Sequence, residues 1–184
     1  MGSVGMEASL ITRLLAFLGL LGAPGRDHGV AEGEVEMPAF TPLLERSPGL
    51  GAVFLDFDGV AHRGNSGTLA LLPLLEAVLR EFPEVDVVIS SSWRNAGLQE
   101  LRRHFASDIA SRVIGVTPEL SGTAAREREI LAVVREFRIR NWVALDDDQR
   151  LFSPGYANVL WTDFYVGLTE SHQHVLRQTF AMWR

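Results

Sequence analysis

The stretch Val53-Phe54-Leu55-Asp56-Phe57-Asp58-Gly59-Val60 carries an apolar run into two carboxylates and then a glycine. It reads as a buried strand that delivers acid to its carboxyl end. On an extended strand, residues two apart point the same way, so Asp56 and Asp58 are expected to share a direction. Left unpaired, two such neighbours repel each other and are poorly solvated, which calls for a cation or a shared proton between them. The pattern predicts a metal-assisted acid site.

Outward from it, Val143-Ala144-Leu145-Asp146-Asp147-Asp148 repeats the motif of an apolar run ending in carboxylate. Between the two lies Val87-Val88-Ile89-Ser90-Ser91-Ser92-Trp93-Arg94, a strand end of hydroxyl chemistry. Ligands of open parallel sheets bind outside the carboxyl ends of the strands. The three ends, acid, hydroxyl and acid, are therefore expected to converge. Periodicity and breakers predict strands near 52–56, 86–90, 112–116, 141–145 and 157–162, with helices near 69–81, 97–106, 124–137 and 170–182. The first helix shows Leu71, Leu75, Val78 and Leu79 at helical spacing and must stop at Phe82-Pro83, while Thr169 is a candidate cap for the last. Alternating strands and helices predict an α/β fold, a Rossmann-like parallel five-stranded sheet with helices on both faces.

With 184 residues, 47% of them apolar, the chain can bury one sizeable core, expected over residues 49–184 behind an N-terminal extension over 1–48. The apolar run Leu14–Leu21 is too short to span a bilayer. Before it, Arg13 is offset by Glu7, a poor signal-peptide start, so the cytoplasm is the expected compartment and no membrane partner is expected. Absence of cysteine excludes disulfides and thiolate metal sites. The oxygen donors that remain suit Mg²⁺ or a similar hard cation. All 17 basic residues are arginine, so any cationic role falls to arginine, and the net charge of -6 is wrong for an unspecific nucleic-acid binder. Nine arginines face six acids between Arg94 and Arg140. That excess reads either as the solvated faces of two helices or as a local face for a phosphorylated ligand.

The order of these motifs, Asp-x-Asp-Gly-Val after the first strand, Ser after the second, a basic residue before the fourth and Asp-Asp after it, resembles the haloacid dehalogenase (HAD) superfamily over about residues 50–184. More narrowly, Leu-Asp-Phe-Asp-Gly-Val with His62, Ile-Ser-Ser-Ser-Trp-Arg, Arg-Val-Ile-Gly-Val-Thr-Pro and Trp-Val-Ala-Leu-Asp-Asp-Asp resemble the HAD domain of Swiss Army Knife RNA repair proteins. The resemblance implies a phosphatase that works through an aspartyl-phosphate. Asp56 would be the nucleophile and Asp58 the general acid and base, while Ser90 or Ser91 would bind the phosphoryl oxygens. Asp56, the main-chain carbonyl of Asp58, and Asp146 or Asp147 would hold Mg²⁺. The family's usual lysine is missing. Arg126, twenty residues before Asp146, is the expected substitute, with Arg128 and Arg112 as alternatives.

Plainer readings stand beside these roles. The serines could satisfy backbone groups at a strand end, Trp93 reads as packing or as a base-stacking platform, and Arg94 as a phosphate contact or a surface salt bridge. His62 could border the site or serve its loop, and His172 and His174, two apart on a helix, are poor joint metal ligands. The short connections leave no room for a large cap domain, so the expected substrates are bulky phosphorylated ones, with RNA or nucleotide phosphate ends among them. The alternative function is a catalytically idle module that binds phosphate, RNA or protein on the same fold.

Overall fold

A computed structural model of the chain describes residues 43–184. Leu14–Leu21 and nearly all of the expected extension lie outside the described residues. Six strands form one sheet: β1 (Leu43–Leu44), β2 (Gly51–Leu55), β3 (Val85–Ile89), β4 (Val113–Val116), β5 (Trp142–Asp146) and β6 (Val159–Trp161), in the order β1-β4-β3-β2-β5-β6. From β4 to β6 the pairing is parallel throughout, which is the expected five-stranded sheet. Among the described residues five α-helices accompany the sheet: α1 (Leu72–Glu81), α2 (Leu98–Arg102), α3 (Ser107–Ala110), α4 (Ala125–Glu136) and α5 (Glu170–Trp183).

The two faces of the sheet carry two cores, because successive side chains on a strand point to opposite sides. Val53 and Leu55 face Leu75, Val78 and Leu79 of α1 and Leu176 and Phe180 of α5. Ala52 and Phe54 face Ile130 and Val133 of α4. Every residue of β2, β3, β4 and β5 is buried, as strands covered on both sides require.

Three local departures from expectation have simple causes. Leu69 sits at φ +49°, so α1 starts only at Leu72, with Pro73 in the first turn, where a missing N–H costs nothing. The single helix expected over 97–106 is two short ones. Ala106 turns extended between them, and its N–H is taken by the buried Glu76 carboxylate at 2.7 Å. The sixth strand, β1, pairs antiparallel with β4 on the far edge. Behind it, Arg46 grips the buried Asp86 carboxylate at 2.7 and 2.5 Å, and the Gly49 N–H adds a third bond at 3.0 Å. Segment 43–49 is thereby tied to the sheet, ahead of the expected start at residue 49.

Thr169 precedes α5 as expected. The His172 ring completes that end: its Nδ1 accepts the Thr169 N–H at 3.0 Å, which leaves Nε2 to donate to the Trp161 carbonyl at 3.1 Å. His172 is thus a fastener between α5 and β6. No helix among the described residues is long and apolar enough to cross a membrane.

Candidate active site

Chain order reverses at β2, which has β3 on one side and β5 on the other. Such a switch point opens a crevice at the carboxyl end of the sheet. Leu55 lies opposite Leu145 in the β2–β5 register, so the residues that follow, Asp56 and Asp146, come out side by side. The Asp56 N–H bonds to the Leu145 carbonyl at 3.1 Å, and the Ser90 N–H to the Leu55 carbonyl at 2.9 Å. The three strand ends converge as the sequence predicts.

Oxygens of Asp56, Asp146 and Asp147 lie within 4.8 Å of one another. Mg²⁺ holds its ligands at ~2.1 Å, which sets opposite oxygens about 4 Å apart, so this all-carboxylate donor set fits a hard divalent cation. Electrostatics favour one too. Burial pushes the Asp56 carboxyl above its usual range, against the pull of Arg126. Burial, with Asp56 adding repulsion, raises Asp146 to about 7 and Asp147 to about 6. A cation would reverse these shifts by offsetting the crowded negative charge.

Without metal, the folded state keeps protons on Asp146 and Asp147 that the unfolded chain releases near the ordinary aspartate value of 3.8. Stability from this source is complete below that value and is lost as pH rises through about 6 to 7. Thermal unfolding with chelator present is expected to shift to lower temperature from pH 5 to pH 8. Added divalent cation should restore it, most strongly at the higher pH. A flat, metal-independent profile would count against the cluster as a cation site.

Arg126 stands in the first turn of α4, where the helix dipole disfavours a cation. Carboxylates hold it there. Its Nη1 lies 2.8 Å from Asp146 Oδ2 and 3.4 Å from Asp56 Oδ1, and its Nε lies 3.3 Å from Glu129 Oε2. Arg94 closes the network, with Nη1 and Nη2 each 3.0 Å from a Glu129 oxygen and Nη1 also 3.1 Å from Thr117 Oγ1. The Leu120 N–H bonds to Glu129 at 2.9 Å. Arg94 is therefore a buried ion pair, neither a surface salt bridge nor free for phosphate.

The alternatives to Arg126 lie elsewhere. Arg112 donates to the Leu79, Phe82 and Val85 carbonyls at the amino end of the sheet. Arg128 is exposed and bonds the Ser121 carbonyl. Arg102 and Arg103 pair with Glu45 and Glu100, while Arg135, Arg138 and Arg140 are exposed.

Asp58 departs from its expected direction. The strand ends at Leu55, and the chain curls so that the Phe57 carbonyl takes the N–H groups of Val60 and Ala61 at 3.1 and 2.9 Å. The Asp58 carboxylate is not one of the three clustered acids, although its charge still reaches Asp56. It accepts the Trp93 indole N–H at 3.1 Å, and His62 Nε2 lies 3.2 Å away without the alignment of a hydrogen bond. Trp93 also packs edge-on against Phe57, so it both packs and orients Asp58. Ser90 and Ser91 are fully buried. Ser91 Oγ accepts the Trp93 N–H at 3.3 Å, whereas Ser90 Oγ has no protein partner.

Gly59 carries φ +68°, and a Cβ there would come within 2.7 Å of the Asp147 carboxyl carbon and 2.9 Å of the Phe164 ring. Only glycine fits where the first acid loop presses on the second. Thr162 Oγ1 bonds the Gly59 carbonyl at 2.8 Å and the Gly64 N–H bonds the Phe164 carbonyl at 2.6 Å, clasping the loop after β2 to the loop after β6. The third aspartate of the run is not part of the cluster: Asp148 turns to Arg150, bonding its N–H at 3.0 Å and its guanidinium at 2.8 Å.

Sequence reasoning missed Glu129, Thr117 and the role of Trp93. The available signal was weak: an acid three residues after Arg126 on a helix is as a rule a surface pair. Comparisons with curated proteins and with solved structures returned no match. The family model of the HAD domain in Swiss Army Knife RNA repair proteins matches residues 52–173, a span that runs from β2 into α5 and includes each of the site residues described above. That match covers well over half of the chain, and with the Asp56, Ser90, Arg126 and Asp146 ends meeting at one switch point it establishes that the chain belongs to this HAD domain family.

Proposed function

We propose that this protein is a Mg²⁺-dependent phosphomonoesterase that works through a phosphorylated Asp56, with RNA or nucleotide phosphate ends as its substrates. One observation carries the reading: three carboxylates and a buried guanidinium meet at a single strand-end crevice. Family membership supports hydrolase chemistry of this class.

In the proposed cycle, an Asp56 oxygen forms a bond to phosphorus as the ester oxygen departs with a proton from Asp58. Asp58 then takes a proton from water as that water attacks the aspartyl-phosphate. This releases inorganic phosphate and regenerates Asp56. Trp93 suits Asp58 to the task by holding one oxygen and leaving the carboxyl partly open to solvent. Ser90 Oγ, buried and unpartnered, is the leading donor to the phosphoryl oxygens, with Ser91 beside it. Arg126 supplies the positive charge the family draws from lysine and keeps Asp56 and Asp146 in register. Asp56, Asp146, Asp147 and the main-chain carbonyl of Asp58 would hold Mg²⁺, whose charge would offset repulsion between carboxylate and phosphate.

Phosphate release from a generic aryl ester, mononucleotides and 3′- or 5′-phosphorylated oligonucleotides tests the reading. Release that needs Mg²⁺ and stops with chelator is expected. Mg²⁺-dependent binding of the same ligands without any release would instead favour the idle binding module.

A further inference from the structure

The loop after β6 presents an aromatic ring to solvent beside the acid cluster. Tyr165 is 78% exposed, and Val166 next to it is exposed too. The loop is nevertheless held fast. Asp163 accepts the Tyr165 N–H through its side chain at 2.9 Å and the Val166 and Gly167 N–H groups through its carbonyl at 3.0 and 2.8 Å. Its far end is closed by the Leu168 N–H on the Val60 carbonyl at 2.9 Å. Phe164 stands between Tyr165 and the site: its ring borders the space at Gly59 that Asp147 also borders, and the Tyr165 ring meets it edge-on with centroids 5.0 Å apart. Across the clasp, Arg63 is exposed, precedes the Gly64 that bonds Phe164, and has no ion-pair partner among the described residues. A hydrogen-bonded turn that holds a large ring in water contributes little to folding, and an exposed guanidinium without an ion-pair partner among the described residues, one residue from the Gly64–Phe164 clasp, is suited to an outside anion.

We propose that Tyr165 and Arg63 form a subsite for the single-stranded nucleic acid leading to the phosphorylated end, with a base stacked on Tyr165 and a backbone phosphate paired with Arg63. Aromatic platforms beside cationic side chains bind single strands in this way, because every base has a π-face and every linkage a charge. The subsite rests on the phosphatase reading of the acid cluster and assigns residues to the strand that carries the phosphorylated end.

Fluorescence anisotropy of a short, labelled, end-phosphorylated oligoribonucleotide on the full chain tests it, with Mg²⁺ present and Asp56→Asn as the background to prevent hydrolysis. Tyr165→Ala should weaken binding ~10-fold while Tyr165→Phe keeps it. Arg63→Ala should weaken binding and reduce the salt slope by about 1. In the wild-type background, kcat/KM for a generic aryl phosphate should not change with Tyr165→Ala. Equal binding by the Tyr165→Ala and parent proteins overturns the subsite. So does a wild-type protein that binds a phosphopeptide, and no oligonucleotide, through Tyr165. Failure of aryl phosphate turnover would sink the phosphatase reading instead, while the anisotropy comparison still decides the subsite.

Discussion

Asp56→Asn is expected to lower phosphate release by ~10⁴-fold or more while the fold survives. The amide matches the carboxylate in shape but cannot form the aspartyl-phosphate, so no gain in substrate or Mg²⁺ concentration should recover the rate. The fold should tolerate the change because Arg126 keeps Asp146 at 2.8 Å and Glu129 at 3.3 Å, and because one of three crowded carboxylates is removed. Asp58→Asn should be milder, at ~10²- to 10⁴-fold, since it removes proton transfer and leaves attack possible. Single-turnover phosphate release, with circular dichroism on the same samples, separates chemistry from misfolding. An Asp56→Asn protein that turns over at the wild-type rate would end the proposed mechanism.

The largest effect on stability is expected from Glu129→Ala. The Glu129 carboxylate is 3% exposed and sits between Arg94 and Arg126, which are 8% and 7% exposed. Removal of one partner of a buried pair leaves uncompensated charge, at a cost of ~3–5 kcal/mol. Here Arg94 loses its acid, Arg126 loses one of the three that surround it, and the Leu120 N–H loses its acceptor. Glu129→Gln, which keeps acceptor oxygen but no charge, should fall between the two. Arg126 would also lose the contact that holds its Nε, so kcat should drop in the fraction that remains folded, more than KM rises. Denaturant midpoints and steady-state rates measure both. A Glu129→Ala protein within ~1 kcal/mol of wild type would mean that water enters the network and solvates the pair.

The Asp56, Ser90 and Asp146 ends were legible because apolar runs that stop abruptly in polar residues mark the carboxyl ends of buried strands, and short connections force alternating strands and helices into a parallel sheet. The family resemblance, by its missing lysine, named Arg126 without choosing it outright over Arg128 and Arg112. Helix spacing puts each of these residues on a helix face or strand border, but only the packed positions of α4 and β5 separate a guanidinium at the acids from one on a surface carbonyl or at the wrong end of the sheet. Asp58 shows the limit of the strand rule. Two-residue periodicity holds only while the strand continues, and β2 stops at Leu55.

What this chain's pattern of residues determined by itself is the fold class, the identity of the acid and hydroxyl strand ends, and the restriction to oxygen donors and arginine. These follow from local periodicity and composition, which act along the chain. Tertiary structure decided which carboxylates share a cation site, that Trp93 and not the cluster holds Asp58, that Arg94 and Glu129 fix Arg126 from behind, and that Gly59 must lack a side chain. Each of those depends on atoms brought together from distant segments, such as Asp58 and Trp93, 35 residues apart, or Gly59 and Thr162, 103 apart. Their energies come from burial and mutual distance, quantities that do not exist until β2 lies between β3 and β5.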